Sequence, residues 1–147
     1  MNGNEIQSLV SKDVVLKNQF LGVFAADELP DYIPVGKGLI VNCCKRSLPG
    51  IHWVALYRPS SKRIEFFDSF GRDPWFYGLN INTFDAIQYN NVQLQNVFSN
   101  VCGLYCILYL FQRVRGNQMS KVVNMFSRNN TTFNDRLVKS KICTYFH

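Results

Sequence analysis

The segment NVFSNVCGLYCILYLF, residues 96–111, holds the longest apolar run of the chain and places Cys102 and Gly103 at the beginning of that run. The run is long for a buried strand and does not alternate between apolar and polar residues, so it predicts a buried helix that starts at Cys102. Arg113 and Arg115 would lie near the negative end of the helix dipole, and Gly116 is a suitable C-terminal cap. The segment therefore predicts a central helix whose first residue is a cysteine.

A cysteine in the first helical turn has chemical consequences. It faces backbone N–H groups and the positive end of the helix dipole, and both favour thiolate over thiol. A thiolate nucleophile usually needs a histidine that carries its proton and a third group that orients the histidine. Only two histidines occur, and His147 is the final residue, so His52 is the candidate base. Taken alone, Cys102 could equally be a small buried hydrophobic residue.

The segment GIHWVALYRPSSKRIEFFDSFG, residues 50–71, predicts a β-hairpin with strands over 51–57 and 63–67. If its loop is centred on Ser60, His52 lies opposite Asp68, and opposite residues have Cβ atoms about 4.5 to 5.5 Å apart. Asp68 would then orient the ring of His52. The alternative is that Asp68 serves only to form a turn at the strand end.

The remaining segments predict a short helix over residues 5–17, a short strand that runs into a loop within residues 20–34, strands near 37–44 and 91–98, a second amphipathic helix over 118–127 and a polar, basic tail. Together they indicate an α+β fold in one domain, residues 1–147. Its mixed, mostly antiparallel sheet would carry His52, Asp68 and Gln95 at its edge and pack on the central helix. Gln95 could donate its amide to a developing oxyanion, or could be a solvent-facing strand residue.

Composition and charge indicate a packed globule with a basic C-terminal segment. Hydrophobic residues make up 47% of the chain, charged residues 18%, and the net charge is +6. The positive excess lies in a segment of about residues 113–147, which contains one acid, Asp135. Its basic residues are Arg113, Arg115, Lys121, Arg128, Arg136, Lys139 and Lys141. Such a segment could bind DNA through its phosphates, or could simply be a solvated basic face.

The five cysteines form neither a disulfide framework nor a zinc-binding spacing, so we expect reduced thiols, no metal site and an intracellular setting. The beginning MNGNEIQSLV lacks the features of a signal peptide, and the apolar run 101–111 is too short to span a bilayer. We therefore expect a soluble monomer without a membrane partner.

The chain order His, Asp, Gln, Cys, in GIHWVALY, FFDSFG and QNVFSNVCGLYC, resembles the adenovirus-type cysteine endopeptidases (adenain). It resembles more distantly the ubiquitin-like-protein-specific proteases of the same clan. The resemblance extends over about residues 19–115 and includes FLGVFAADELP and LIVNC. The resemblance implies that His52 is the general base, Asp68 the orienting acid, Gln95 the oxyanion donor and Cys102 the nucleophile. It also implies that Trp53 and Gly103 bind the substrate.

By this resemblance, the chain is expected to be a cysteine endopeptidase that cleaves viral or virus-like-element precursor proteins at glycine-containing sites. The alternatives are a protease that removes ubiquitin-like proteins from their conjugates and an inactive DNA-binding relative. The chemistry requires no cofactor, although the resemblance implies DNA as an activator and the nucleus or virion as the location. The peptide activator of adenoviral enzymes is linked through a cysteine that has no counterpart between residues 45 and 101.

Overall fold

The computed structural model describes residues 1–81 and 86–147. Its α-helices are α1 (Gly3–Val10), α2 (Val14–Gln19), α3 (Cys102–Arg113), α4 (Met119–Val123) and α5 (Thr131–Tyr145). Its strands are β1 (Phe20–Phe24), β2 (Gly38–Asn42), β3 (Trp53–Ser60), β4 (Arg63–Phe67) and β5 (Ile87–Tyr89). Short 3₁₀ helices cover Ala26–Glu28 and Pro74–Tyr77.

The strands form one mixed sheet in the order β1-β2-β3-β4-β5. The central pairs, β2 with β3 and β3 with β4, are antiparallel, whereas the outer pairs, β1 with β2 and β4 with β5, are parallel. The α+β class and the mixed sheet are therefore confirmed, with antiparallel pairing at the centre of the sheet and parallel pairing at its two edges. The edge pairs are parallel because a long connection separates each of them and allows the chain to return in the same direction.

The predicted hairpin is present, although its register differs from the prediction. Ala55 pairs with Phe67 and Ser60 pairs with Arg63, with a shift in the ladder between them, so the hairpin is centred about one residue later than Ser60. His52 precedes β3 and Asp68 follows β4. The two residues therefore lie at the same end of the hairpin, although they are not directly opposite each other.

Two other sequence predictions need correction. Residues 91–98 do not form a strand, because the N–H groups of Leu94 and Gln95 both donate to the carbonyl oxygen of Ser69, at 2.8 and 3.0 Å, instead of to a neighbouring strand. The predicted helix over residues 5–17 is divided into α1 and α2. The division occurs where the side chain of Asp13 accepts a hydrogen bond from the N–H of Leu16 and caps a new helix.

Helix α3 packs against one face of the sheet and is almost entirely buried. Alternate residues of the central strands point to this face and pack on the helix, among them Ile40, Ala55 and Phe67. The opposite face has its own core, built around residues such as Leu39 and Phe66. Within residues 1–81 and 86–147, no helix is long and apolar enough to cross a membrane.

The polar C-terminal segment forms the helix α5. Asn130 caps α5 by accepting a hydrogen bond from the N–H of Phe133 at 3.0 Å. Asn134, Val138 and Ile142 recur every four residues and are buried, so one side of α5 is held against the rest of the chain. Helix α4, by contrast, covers only five residues of the predicted segment 118–127.

The nucleic-acid prediction is wrong for Arg113. Its guanidinium is buried and donates to both carboxylate oxygens of Glu65, from Nε at 2.7 Å and from Nη2 at 2.9 Å. Arg115 is also engaged, because its Nη2 donates to Asp13 at 2.6 Å. The other predicted basic residues reach solvent, Lys141 only in part, and are Lys121, Arg128, Arg136, Lys139 and Lys141.

We expect Arg113→Ala to lower the free energy of unfolding by about 3–5 kcal/mol, because it leaves the carboxylate of Glu65 buried without its close cationic partner. Urea denaturation followed by circular dichroism measures the change. Arg128→Ala is the matched control, since Arg128 is exposed and its loss should change the same quantity by no more than about 0.5 kcal/mol. Equal transition midpoints for the two variants would contradict a structural role for Arg113.

Candidate active site

His52, Asp68 and Cys102, which the sequence singled out, each lie at the end of a strand or helix. His52 lies directly before β3, Asp68 lies directly after β4, and Cys102 is the first residue of α3. The antiparallel pairing of β3 with β4 puts the first two residues at the same edge of the sheet. Helix α3 packs on this sheet, so its N-terminus brings Cys102 to His52.

Asp68 is completely buried and binds His52. The Oδ1 atom of Asp68 lies 2.6 Å from Nε2 of His52. The carboxylate also accepts hydrogen bonds from the N–H of Phe70 at 3.0 Å, the N–H of Arg72 at 3.2 Å and the hydroxyl of Tyr77 at 2.6 Å. Burial raises the pKa of Asp68, but the contacts with His52, Tyr77 and Phe70 outweigh burial and hold the pKa below its usual value.

The imidazole of His52 connects Asp68 to Cys102. Because Nε2 faces Asp68, Nδ1 is the ring nitrogen left for the thiol. Burial lowers the pKa of His52, but hydrogen bonding to Asp68 and Cys102 and the charges of these groups together raise the pKa to about 9. The ring stacks on Phe70, with centroids 4.6 Å apart, and also contacts Tyr77. These contacts restrict the orientation of the imidazole.

The thiol of Cys102 is stabilised as a thiolate. Burial raises the pKa of Cys102, but hydrogen bonds from His52 and from the backbone N–H groups of Trp53 and Gly103, with the charge of His52, bring the pKa below its usual value. No side chain caps the N-terminus of α3, where the helix dipole is positive. Cys106, one turn later, has a strongly raised pKa because it is completely buried. The two thiols of α3 therefore differ in acidity, since the pKa of Cys102 is lowered and that of Cys106 is raised.

Gln95 is buried and is bound to Ser69, the residue that follows Asp68, and both ends of its side-chain amide have partners. Its Oε1 accepts a hydrogen bond from Ser69 at 2.6 Å, and its Nε2 donates to the carbonyl oxygen and to the hydroxyl of Ser99, both at 3.1 Å. Among the described residues, no hydrogen bond joins Gln95 to Cys102. In this structure the side-chain amide of Gln95 is therefore bound by Ser69 and Ser99.

The two predicted substrate-binding residues have different surroundings. Trp53 is half-buried, its Nε1 donates to the carbonyl oxygen of Met1 at 2.9 Å, and it lines a cavity of about 460 Å³. Gly103 is buried, and a Cβ atom at its position would lie 2.9 Å from the sulfur of Met1. Met1 is a flexible and exposed side chain that can move aside, so this contact alone does not require glycine. The contact of Gly103 with a substrate stays a prediction.

Sequence reasoning missed several residues that support the site. Asn90 holds the backbone of Asp68 from both sides, accepting from its N–H at 3.0 Å and donating to its carbonyl oxygen at 2.6 Å. Tyr77 and the two serines that bind Gln95 were also missed. Tyr77 ends a short 3₁₀ helix in an aromatic segment with no periodic pattern, and Asn90 is 22 residues from Asp68, so no local signal marks either residue.

Comparison of the chain with known proteins finds similarity to two adenovirus proteins, each named protease. One is from Ovine adenovirus D serotype 7 (isolate OAV287) and is 28% identical over 127 residues, which cover 74% of this chain and 62% of that protein. The other is from Snake adenovirus serotype 1 and is 28% identical over 135 residues, which cover 76% of this chain and 65% of that protein. The chain therefore spans less than two thirds of the length of these curated relatives. No family model matches it.

Among solved structures, the chain resembles the central domain of the uncharacterized Lpg1148 protein from Legionella pneumophila. The TM-score is 0.51 with 12% sequence identity, over 99% of this chain and 97% of that one. At this level of identity the likeness concerns the fold alone.

We expect iodoacetamide to alkylate Cys102 faster than the other cysteines at about pH 6–7, where an ordinary thiol is protonated. The lowered pKa of Cys102 and the raised pKa of His52, about 9, keep the thiolate beside an imidazolium through the neutral range. Asp68→Asn removes a charge that favours this imidazolium, so the labelling profile should move to higher pH. Mass spectrometry of the labelled peptides measures both effects.

The matched control for this experiment is Asp31→Asn, which removes an exposed carboxylate elsewhere in the chain. Cys143, an exposed free thiol, is kept in all variants as the internal reference for the reactivity of a free cysteine. A labelling profile for Cys102 like that of a free cysteine, or one that Asp68→Asn leaves unchanged, would contradict the described coupling.

Proposed function

We propose that the chain is a cysteine endopeptidase that processes viral or virus-like-element precursor proteins at glycine-containing sites. The observation that carries the proposal is the imidazole of His52, which is held by Asp68 on one side and interacts with Cys102 on the other. The similarity to two adenovirus proteases supports the same reading. The proposal assigns the roles of nucleophile to Cys102, base to His52 and orienting acid to Asp68.

In the proposed reaction, the thiolate of Cys102 attacks the carbonyl carbon of the scissile peptide bond and forms a carbon–sulfur bond. The imidazolium of His52 then gives its proton to the leaving amine as the carbon–nitrogen bond breaks, which leaves a thioester on Cys102. His52 next takes a proton from water, whose oxygen attacks the thioester. The acid product leaves, and the thiolate beside the protonated imidazole is restored. Asp68 stabilises the imidazolium at each stage.

Two donors are proposed for the oxyanion, the backbone N–H of Cys102 and the side-chain amide of Gln95. The amide nitrogen of Gln95 donates to Ser99 twice in this structure. Its participation therefore requires one of these hydrogen bonds to be exchanged for the oxyanion of the substrate. A donor of this kind contributes about 10²- to 10³-fold to kcat.

The cavity beside Trp53 is the proposed site for residues that precede the scissile bond. It lies against β1 and β2 and is lined in part by Asn42, Lys45, Leu48 and Gly50. We propose that the indole of Trp53 narrows the approach to Cys102, so that glycine is favoured near the scissile bond. Precursor processing would take place in the nucleus or the virion.

We expect Cys102→Ala to abolish cleavage of a fluorogenic peptide that contains glycine on both sides of the scissile bond, while the far-ultraviolet circular dichroism spectrum stays unchanged. Cys143→Ala is the matched control and should retain wild-type turnover, because this cysteine is exposed on α5 and does not contact His52 or Asp68. Turnover by Cys102→Ala would contradict the proposal. Faster cleavage of ubiquitin or SUMO C-terminal substrates by the wild-type chain would favour a deconjugating protease instead.

DNA is proposed as an activator that binds the exposed basic residues of the C-terminal segment. Arg136 and Lys139 lie three residues apart on α5 and are both exposed. We expect turnover to rise on addition of double-stranded DNA at low salt, and the rise to shrink as salt increases or when both residues are changed to Glu. Equal turnover with and without DNA would contradict this part of the proposal.

A further inference from the structure

The segment that carries Gln95 has no regular secondary structure, and buried side chains hold it on two sides. On one side, the N–H groups of Leu94 and Gln95 donate to the carbonyl oxygen of Ser69, and the hydroxyl of Ser69 donates to the Gln95 side chain. A segment outside a helix or a sheet has no ladder to fix its position. Its conformation therefore depends on these contacts.

On the other side, helix α5 holds the same segment. The side-chain amide of Asn134 donates to the carbonyl oxygen of Leu94 at 3.0 Å, and the carboxylate of Asp135 lies 3.4 Å from the N–H of Asn96. Thr132, in the first turn of α5, accepts a hydrogen bond from the side chain of Asn96 at 3.1 Å. The residues before and after Gln95 are thus both bound to α5.

Tyr105 connects this contact to the central helix. Its hydroxyl lies 2.9 Å from Oδ1 of Asp135 and 3.3 Å from the carbonyl oxygen of Leu94. Burial and the hydrogen bond to Asp135 raise the pKa of Tyr105, so the hydroxyl stays protonated and can donate. Tyr105 is one turn beyond Cys102 on α3. One hydroxyl therefore joins the helix that begins at the thiol, the C-terminal helix and the backbone beside Gln95.

We propose that α5, through Asn134, Asp135 and their partner Tyr105, positions Gln95 for its role as oxyanion donor. This inference rests on the proposed function. It gives the C-terminal helix a second role beside the proposed contact with DNA, since its buried side sets the position of a catalytic amide while its basic residues face solvent. Tyr105, Asn134 and Asp135 are positioning residues, because they act on the substrate only through Gln95.

The test is Tyr105→Phe, which removes one hydroxyl and keeps the shape of the ring. We expect kcat for a glycine-containing peptide to fall about 10-fold with little change in KM, a smaller loss than removal of an oxyanion donor causes. The rate and pH profile of Cys102 alkylation should stay at wild-type values, because His52 and Asp68 are untouched. The matched control is Tyr109→Phe, one turn later on α3, whose buried hydroxyl binds Glu65 instead. Its kcat should stay at the wild-type value.

A double-mutant cycle separates positioning from a general structural effect. In a Gln95→Ala background, Tyr105→Phe should cause no further loss of kcat, because the group that it positions is already absent. Asp135→Asn keeps a hydrogen-bond acceptor for Tyr105 but removes its charge, so it should lower kcat by a smaller factor, about 3-fold. It replaces Tyr105→Phe as the test if that variant is poorly folded.

Wild-type kcat in Tyr105→Phe and Asp135→Asn would overturn the inference, as would an equal loss in the Gln95→Ala background or a parallel loss of Cys102 alkylation. Each of these results leaves the proposed function standing. Absence of peptide cleavage by the wild-type chain would instead remove the proposed function and this inference with it.

Discussion

A completely buried carboxylate is stable in a protein only while hydrogen bonds and a nearby positive charge replace the water that it has lost. Asp68 is such a group, and its four donors come from different parts of the structure: the ring of His52, the hydroxyl of Tyr77 and the N–H groups of Phe70 and Arg72. These bonds hold the turn after β4, the aromatic loop that follows it and the residue before β3 in one arrangement. The geometry around Cys102 depends on this arrangement, since the imidazole that faces the thiol is the one that Asp68 binds.

The three groups form a buried chain of charges in which each member stabilises the next. The pKa of Asp68 is lowered, that of His52 is raised and that of Cys102 is lowered, although burial by itself acts against the charged form of every one of them. Hydrogen bonds between the groups outweigh that effect, and the N-terminus of α3 adds its N–H groups and its dipole. Buried polar contacts recur at Gln95, which is held by the two serines and, through its backbone neighbours, by α5. The β3–β4 hairpin and the segments that carry Tyr77 and Gln95 are thus held in place around the buried helix α3.

Local patterns predicted the parts of the structure that local interactions determine. The apolar run after Cys102 indicated α3, and two strand-like runs joined by a loop near Ser60 indicated the hairpin, so His52 and Asp68 were expected to lie close together from sequence alone. The register was displaced because β3 continues through Pro59 to Ser60 and the turn lies at residues 61–62, later than a loop centred on Ser60 would place it. Residues 91–98 have the composition of a strand, but their N–H groups are bound by Ser69, a partner more than 20 residues away. Arg113 was assigned to a nucleic-acid surface for a similar reason, because its partner Glu65 lies 48 residues earlier on β4.

The central claim is that His52 is held as an imidazolium between Asp68 and Cys102, and nuclear magnetic resonance can measure this directly. The chain has two histidines, so the ring signals of His52 can be followed through a pH titration with His147→Gln as the means of assignment. The account predicts that His52 titrates near pH 9, and that Cys102→Ser lowers this value because the thiolate partner is lost. A His52 ring that is already neutral below about pH 6.5, the ordinary value for histidine, would contradict the account.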